Sequence, residues 1–438
     1  MITPSFSISQ DGRFLTIRIH APYANIGEAD VEYYDKNFLF TAEPYFLRLF
    51  LPCEVIFDES GACDYDADSG HFTVKVPKKN EDEHFPNLEM LQDLLKAPQI
   101  SAKPAVEEIQ DEEEQEDEEE GPTVPDEELY ADQKLREPEK EPETAEIHKS
   151  GYGFGWQRHG VFDRFDNSVI KKLVDIPTPE DSVLEERYEI AAAILADQFD
   201  VEHYAADLHE PSDQLEEILK FKIAPAELFQ LSKDDEKRIS DLPKTRKLPK
   251  VDDETVAWSL IDLLAAYLYE FRANEGDDSV ESGWTIAKLS PTLNHLVKWS
   301  SANEAVVGFA QSALVKPLYR TWKLVTVVLE DLVATLKLGR PAVLHCLLQI
   351  QRIMNTSGNF RYLLNDLYIT DYCLWIRNLD DAVLTKLAEQ AEEAVKSLRK
   401  ADLKFDLEEL ELEIQMSLLD VKEGDERPPL DSDDEEDP

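Results

Sequence analysis

Residues 104–146 constrain this chain more than any other stretch: they carry 20 acidic side chains against 3 basic ones, a net of −17, with almost no large apolar residue. The run DEEEQEDEEE fills positions 111–120, and several prolines surround it. Such a segment cannot bury enough apolar surface to offset the entropy of ordering it. The sequence therefore predicts a disordered acidic linker over residues 86–149, with a separate folded part on each side. Treated as a flexible coil of about 45 residues, the acidic stretch would span roughly 35–40 Å, and self-repulsion extends it further. A second acidic stretch, 405–438, holds 15 acids and 2 bases, a net of −13, so the two together carry −30 of the formal −48. Its end, 422–438, reads as a disordered tail. Ser432-Asp-Asp-Glu-Glu436 within it is a candidate phosphosite for an acidophilic kinase.

The two flanks differ in period. In residues 1–85, apolar residues alternate at Phe14, Leu15, Ile17, Ile19, at Val31 and Tyr33, at Phe38 and Phe40, at Tyr45, Leu47, Leu49, Leu51, and at Phe72, Val74, Val76. Turn formers such as Asp11-Gly12, Pro22, Pro44, Ser60-Gly61 and Ser69-Gly70 separate these runs. The pattern predicts about seven short strands in an antiparallel sandwich. From 150 to 421 the period becomes helical. Helices are expected near 253–273, 303–316, 320–338, 341–354, 359–377, 380–400 and 404–420, and Ser182-x-x-Glu185 reads as a capping box before another. The fold class is thus multidomain: an all-β sandwich, an acidic linker and one all-α domain with no fixed-period repeat.

The excess of acid disfavours contact with phosphate backbones or anionic lipid, so direct nucleic-acid or membrane binding is not expected. Cys53, Cys63, Cys346 and Cys373 are widely spaced and form no C-x-x-C pair, which points to reduced thiols in an intracellular protein. The histidines show no HExxH spacing, and no serine sits in a G-x-S-x-G elbow. His345 and Cys346 are helical neighbours that point in different directions, and His203 and His209 are six apart, which suits no helical metal pair. Gly151-Tyr-Gly-Phe-Gly155-Trp156 departs from a dinucleotide loop, because no strand precedes it and its third glycine comes one residue early. A turn pinned by aromatics onto the helical domain is the expected reading. No enzyme, cofactor or metal is therefore expected.

Two segments leave alternatives open. Residues 365–377, dense in aromatics, form either an amphipathic helix with Leu367, Ile369, Cys373 and Ile376 in the core, or a contact surface. Lys244, Arg246, Lys247 and Lys250 form either a nuclear import signal or a solvated loop.

Several strings together resemble the SHQ family of assembly factors for box H/ACA ribonucleoproteins. They are Gly151-Tyr-Gly-Phe-Gly155; Ala266-Tyr-Leu-Tyr-Glu-Phe-Arg272 with Gly276-Asp277, Glu281-Ser282, Trp284 and Lys288-Leu-Ser-Pro-Thr-Leu293; Pro317-Leu-Tyr-Arg320; Leu338-Gly339; and Leu364-Asn-Asp-Leu-Tyr-Ile369 with Asp371-Tyr-Cys373 and Trp375-Ile376. The sandwich is similar to the CS domain of small co-chaperones. The resemblance implies a chaperone that holds the dyskerin-type pseudouridine synthase and covers its RNA-binding surface before guide RNA is loaded. It implies a monomer located in the nucleus (nucleoplasm) and also in the cytoplasm. The alternative is a CS-domain co-chaperone of the ninety-kilodalton heat-shock ATPase. Within the matched strings, Tyr152, Phe154, Tyr319, Arg320, Asp366, Tyr368, Asp371, Tyr372 and Trp375 are the candidate partner contacts.

Overall fold

The computed structural model describes residues 2–58, 60–66, 69–96, 133, 148–209, 211–223, 231–244, 246–358 and 360–425. The acidic run 111–120, most of the expected linker (97–132 and 134–147), and Ser432 lie outside the described residues. The chain divides into two compact units.

In the first unit, β1 (Ser5–Gln10), β2 (Phe14–His20), β3 (Asp30–Ala42), β4 (Tyr45–Val55), β5 (Ala62–Asp66) and β6 (His71–Pro77) form two antiparallel sheets. The sheet orders are β1-β2-β6-β5 and β3-β4. Leu15, Ile17 and Ile19 of β2, Phe38 and Phe40 of β3, Leu47, Leu49 and Leu51 of β4, and Phe72, Val74 and Val76 of β6 make the core between them. The strand count is six rather than about seven among the described residues. Val31, Tyr33, Phe38 and Phe40 belong to one strand with a bulge between Asp35 and Asn37. There the pairing passes from Asp35↔Val55 to Asn37↔Phe50, with the additional residues on β4, and Asp35 takes φ +50°. The buried positions of β3 change from odd to even numbers across this irregularity, so one strand reads as two.

The sequence places the linker from residue 86, but the sandwich keeps the chain for another ten residues. Phe85, Leu88, Leu94 and Leu95 are buried in its core, and a short helix α1 (Leu91–Leu94) follows the β-strands. The Gln10 side-chain amide ties this strap down: its Nε2 donates to Phe85 O at 2.8 Å, and its Oε1 accepts from Phe85 N at 3.0 Å. Six apolar residues lie in the eleven positions 85–95, but the helix they form is only four residues long, too short for its period to stand out beside the acidic stretch.

The second unit is helical. Its elements are α2 (Asn167–Leu173), α3 (Arg187–Gln198), α4 (Val201–His209), α5 (Asp213–Lys220), α6 (Lys233–Asp241), α7 (Asp253–Ala273), α8 (Ser282–Leu289), α9 (Pro291–Asn294), α10 (Ala302–Ala313), α11 (Trp322–Lys337), α12 (Arg340–Thr356), α13 (Tyr362–Leu364), a π-turn (Asn365–Ile369), α14 (Thr370–Asn378), α15 (Asp381–Ser397) and α16 (Leu407–Asp425). The seven expected helices are all present within a few residues, and α16 runs four residues into the expected tail. α7 is the axis of the unit. It starts where Asp252 accepts from Thr255 N at 3.1 Å, and it is apolar nearly all round, as a helix packed on every side must be. Helices α8, α10, α11 and α15 surround it.

The expected capping box at Ser182 is a correction. The Ser182 hydroxyl instead donates to Pro179 O at 3.2 Å and accepts from Arg187 Nε at 2.9 Å. A capping box does form at Ser232-x-x-Asp235, ahead of α6.

Candidate functional site

The glycine-rich string does not face solvent. Gly153 sits at φ +75°, and a Cβ there would stand 2.9 Å from Leu367 O, so only glycine lets the turn lie this close to the π-turn. The residues between the glycines are anchors. Phe154 packs edge-on against Tyr372, with ring centres 4.9 Å apart, and lies 6.2 Å from Trp375. The Trp156 indole donates to Val297 O at 3.1 Å. Tyr152 donates to Glu180 at 2.6 Å and accepts from Val161 N at 2.8 Å. Burial, then the Glu180 charge, push the Tyr152 hydroxyl far above its ordinary pKa. Behind the string lies Arg187, wholly buried. Its guanidinium donates to Gly151 O (2.8 Å), Leu296 O (3.0 Å), Ser150 O (2.8 Å) and Pro179 O (2.8 Å).

Most of the candidate contact residues therefore sit inside the domain. Tyr152, Phe154, Tyr368, Asp371, Tyr372 and Trp375 are each buried, because the string and the segment 365–377 pack on one another. Tyr372 donates to Val256 O at 3.2 Å, and the Trp375 indole donates to Asp253 at 2.9 Å. The amphipathic-helix reading of this segment is the one the structure shows, with Leu367, Ile369, Cys373 and Ile376 in the core. Asp366 is half-buried. So are Tyr319, whose carbonyl accepts from Tyr269 at 2.7 Å, and Arg320, whose amide donates to Asp207 at 2.7 Å. The buried six are a brace that joins the start of the helical unit to its later helices.

A different place in this unit has the form of a site. A cleft of about 300 Å³ opens between α7 and α12, closed at one end by the capping box of α6 and at its rim by the 274–279 turn. Its walls include Tyr267, Glu270 and Phe271 from α7, Asp277 and Asp278 from the turn, and His345, Gln349 and Arg352 from α12. At its closed end Asp235 is completely buried. Its carboxylate accepts from Ser232 N (2.9 Å) and Gln349 Nε2 (2.8 Å), and it lies 3.2 Å from His345 Nδ1. Burial pushes this carboxyl up, but the Ser232 hydrogen bonds, His345 and Arg238 together hold it below the ordinary range. Opposite it, burial raises Glu270. At the rim Arg352 forks onto Asp278 at 2.9 and 2.7 Å, and that contact lowers the Asp278 carboxyl. Asp235, Glu270 and Asp278 are thus already engaged, by Ser232 and Gln349, by Asn274 and by Arg352, and Asp277 is an exposed carboxylate at the rim, near Tyr267 and Phe271 in the wall.

Sequence reading did not single out this cleft. Glu270, Phe271, Gly276 and Asp277 lie within the quoted strings, but nothing in their spacing says that α6 and α12 complete a wall around them. His345 and Cys346 do diverge as expected: the histidine faces the cleft and the cysteine is buried. Among the described residues no group of three or more His, Cys, Asp or Glu is gathered to hold a metal, and no helix is long and apolar enough to cross a membrane.

Comparison with known proteins assigns both units. The family described as SHQ1-like, CS domain, matches residues 3–95, and SHQ1 protein, Shq1 domain, matches residues 221–407. A Caenorhabditis elegans protein named Protein SHQ1 homolog is 38% identical over 436 residues, covering 97% of this chain and 99% of its own. A mouse protein of the same name is 39% identical over 94% of this chain and 75% of its own. The fission yeast Protein shq1 is 30% identical over 96% and 98%.

Proposed function

The chain belongs to the SHQ1 family, and from that premise we propose that it is an assembly chaperone for box H/ACA ribonucleoproteins. In this reading it is located in the nucleus and also in the cytoplasm, holds the dyskerin-type pseudouridine synthase and shields that enzyme's RNA-binding surface until guide RNA is loaded. The whole-length likeness to SHQ1 proteins carries the proposal. The physical chemistry agrees with it in sign: a surface that binds RNA is basic, and this chain has a formal charge of −48 and a carboxylate-lined cleft. Acids placed where RNA places phosphates compete for the same surface. The chain itself is not proposed to bind nucleic acid, lipid or a cofactor.

The test is a pull-down of the pseudouridine synthase with the full chain, followed by addition of guide RNA. Mutually exclusive binding is expected. A stable ternary complex that retains the RNA overturns the reading.

A second reading rests on the CS-domain match at residues 3–95: a co-chaperone of the ninety-kilodalton heat-shock ATPase acting through the sandwich. Titrating the full chain against that ATPase decides it, and no binding removes it. A hydrolytic reading would draw on the convergence of Asp235 and His345. There the Ser232 hydroxyl donates to Asp235 at 2.8 Å and caps α6, and turnover of a model ester or peptide by the full chain would be the observation that supports this reading.

A further inference from the structure

The outer edge of β4 is occupied in an unusual way. In the β3-β4 ladder Leu47 opposes Phe40 and Leu49 opposes Phe38, while the N–H of Phe46 turns to the opposite edge and donates to Ile2 O at 3.0 Å. There Ile2 makes one parallel bridge, centred on Tyr45. Two residues on, the place of the next bridge is taken by a side chain. Gln133 Nε2 donates to Phe46 O at 3.1 Å, and Gln133 Oε1 accepts from Arg48 N at 3.0 Å. One primary amide thus reproduces the N–H donor and C=O acceptor of one residue in a neighbouring parallel strand. The first unit uses this device twice, since the Gln10 amide binds both backbone groups of Phe85.

Two further observations mark this edge as a covered surface. Phe46 and Arg48 point away from the core of the sandwich, yet they are only 4% and 7% exposed. The Arg48 Nε is buried and has no hydrogen-bond partner among the described residues. An open strand edge is a ready template for pairing, and proteins cover or charge such edges. The occupant here is Gln133, from the stretch between the two units, 85 residues along the chain from Arg48; residues 128–138 around it carry three acids and two bases.

We propose that the outer edge of β4 at Phe46–Arg48 is a docking edge for a chain segment that pairs with it, and that the chain's own segment at Gln133 occupies it in cis. Gln133 provides the register. The segment at Gln133 is then a ligand of the sandwich, and an extended segment of another protein could reach this edge only by displacing it.

Hydrogen exchange on the full chain tests this directly. Gln133→Ala should speed exchange of the Arg48 amide by about fivefold, the equivalent of one net hydrogen bond. The amides of Leu47 and Leu49, which face β3, should not change. Added in excess, a synthetic peptide of residues 128–138 should restore Arg48 protection in the Gln133→Ala chain, and the same peptide with the glutamine replaced by alanine should not. Equal Arg48 exchange in wild type and Gln133→Ala overturns cis docking. Failure of the wild-type peptide to protect overturns the docking edge.

Discussion

Replacing Arg187 by methionine keeps the stem of the side chain and deletes the guanidinium on which the start of the helical unit is hung. Three carbonyls, Ser150, Gly151 and Leu296, are left without their donors at 2.8–3.0 Å. None of the three accepts another hydrogen bond among the described residues. Stranding a buried acceptor costs about 1–3 kcal/mol, so the gross loss is about 3–9 kcal/mol. Removing a buried charge returns part of this, which leaves a net destabilisation of about 3–5 kcal/mol, typical of breaking one side of a buried charged network. Urea unfolding can read the change, because all six tryptophans (Trp156, Trp258, Trp284, Trp299, Trp322 and Trp375) lie in the helical unit and none in the sandwich. With a denaturant slope of about 3 kcal/mol per molar, the fluorescence midpoint should fall by about 1–2 M. Arg187→Lys should recover little, since an ammonium cannot reach carbonyls arranged for a planar fork. A midpoint shift below about 0.3 M for Arg187→Met, or wild-type behaviour of Arg187→Lys, would refute the reasoning.

Further outcomes follow from other residues. Gly153→Ala puts a Cβ 2.9 Å from Leu367 O at φ +75° and should cost about 1–3 kcal/mol in the same unfolding assay. A fragment of residues 1–85 should be less stable than one of 1–96 by at least about 4 kcal/mol in urea melts, because it gives up the burial of Leu88, Leu94 and Leu95. Burial raises the Asp262 carboxyl to about 6 despite four donors from Ser290, Thr292 and Trp299. A carboxyl raised in the folded state binds its proton more tightly there than when unfolded, so its contribution to stability is fully present below about pH 4 and is lost as pH rises through 6. Wild type should therefore lose about 1–3 kcal/mol relative to Asp262→Asn between pH 4 and pH 7, and parallel curves would contradict the assignment. Asp277→Lys, on the exposed rim of the cleft, should weaken capture of a basic partner by up to about fivefold at low salt and leave the melt unchanged.

The period of the chain made the two architectures readable, and helices such as Asp253–Ala273 were legible almost to the residue because a capping aspartate precedes a long, largely apolar stretch that ends at Asn274. What stayed hidden were features decided by contacts between distant positions. The bulge at Asp35 split one strand into two apparent runs. Ser182 looked like a helix cap, yet it serves Arg187. The aromatics of 365–377 left core and surface open because their neighbour, the string at 151–156, lies some 200 residues earlier. The cleft was invisible for the same reason: Asp235, Glu270 and His345 come from three helices, and no local spacing announces their meeting.

The brace between Phe154 and Tyr372 also sets a clock on the birth of the protein. The two rings are separated by 218 positions (372 − 154), so a ribosome adding about 5–20 residues per second takes about 10–40 s to deliver the second after the first. Throughout that interval Phe154 and Trp156 have been synthesised without the helices that will bury them, and the closing of so long a loop must await the synthesis of Tyr372. A chain cut short anywhere before Tyr372 therefore loses more than its missing end, for it also releases the first turn of the helical unit, made many seconds earlier.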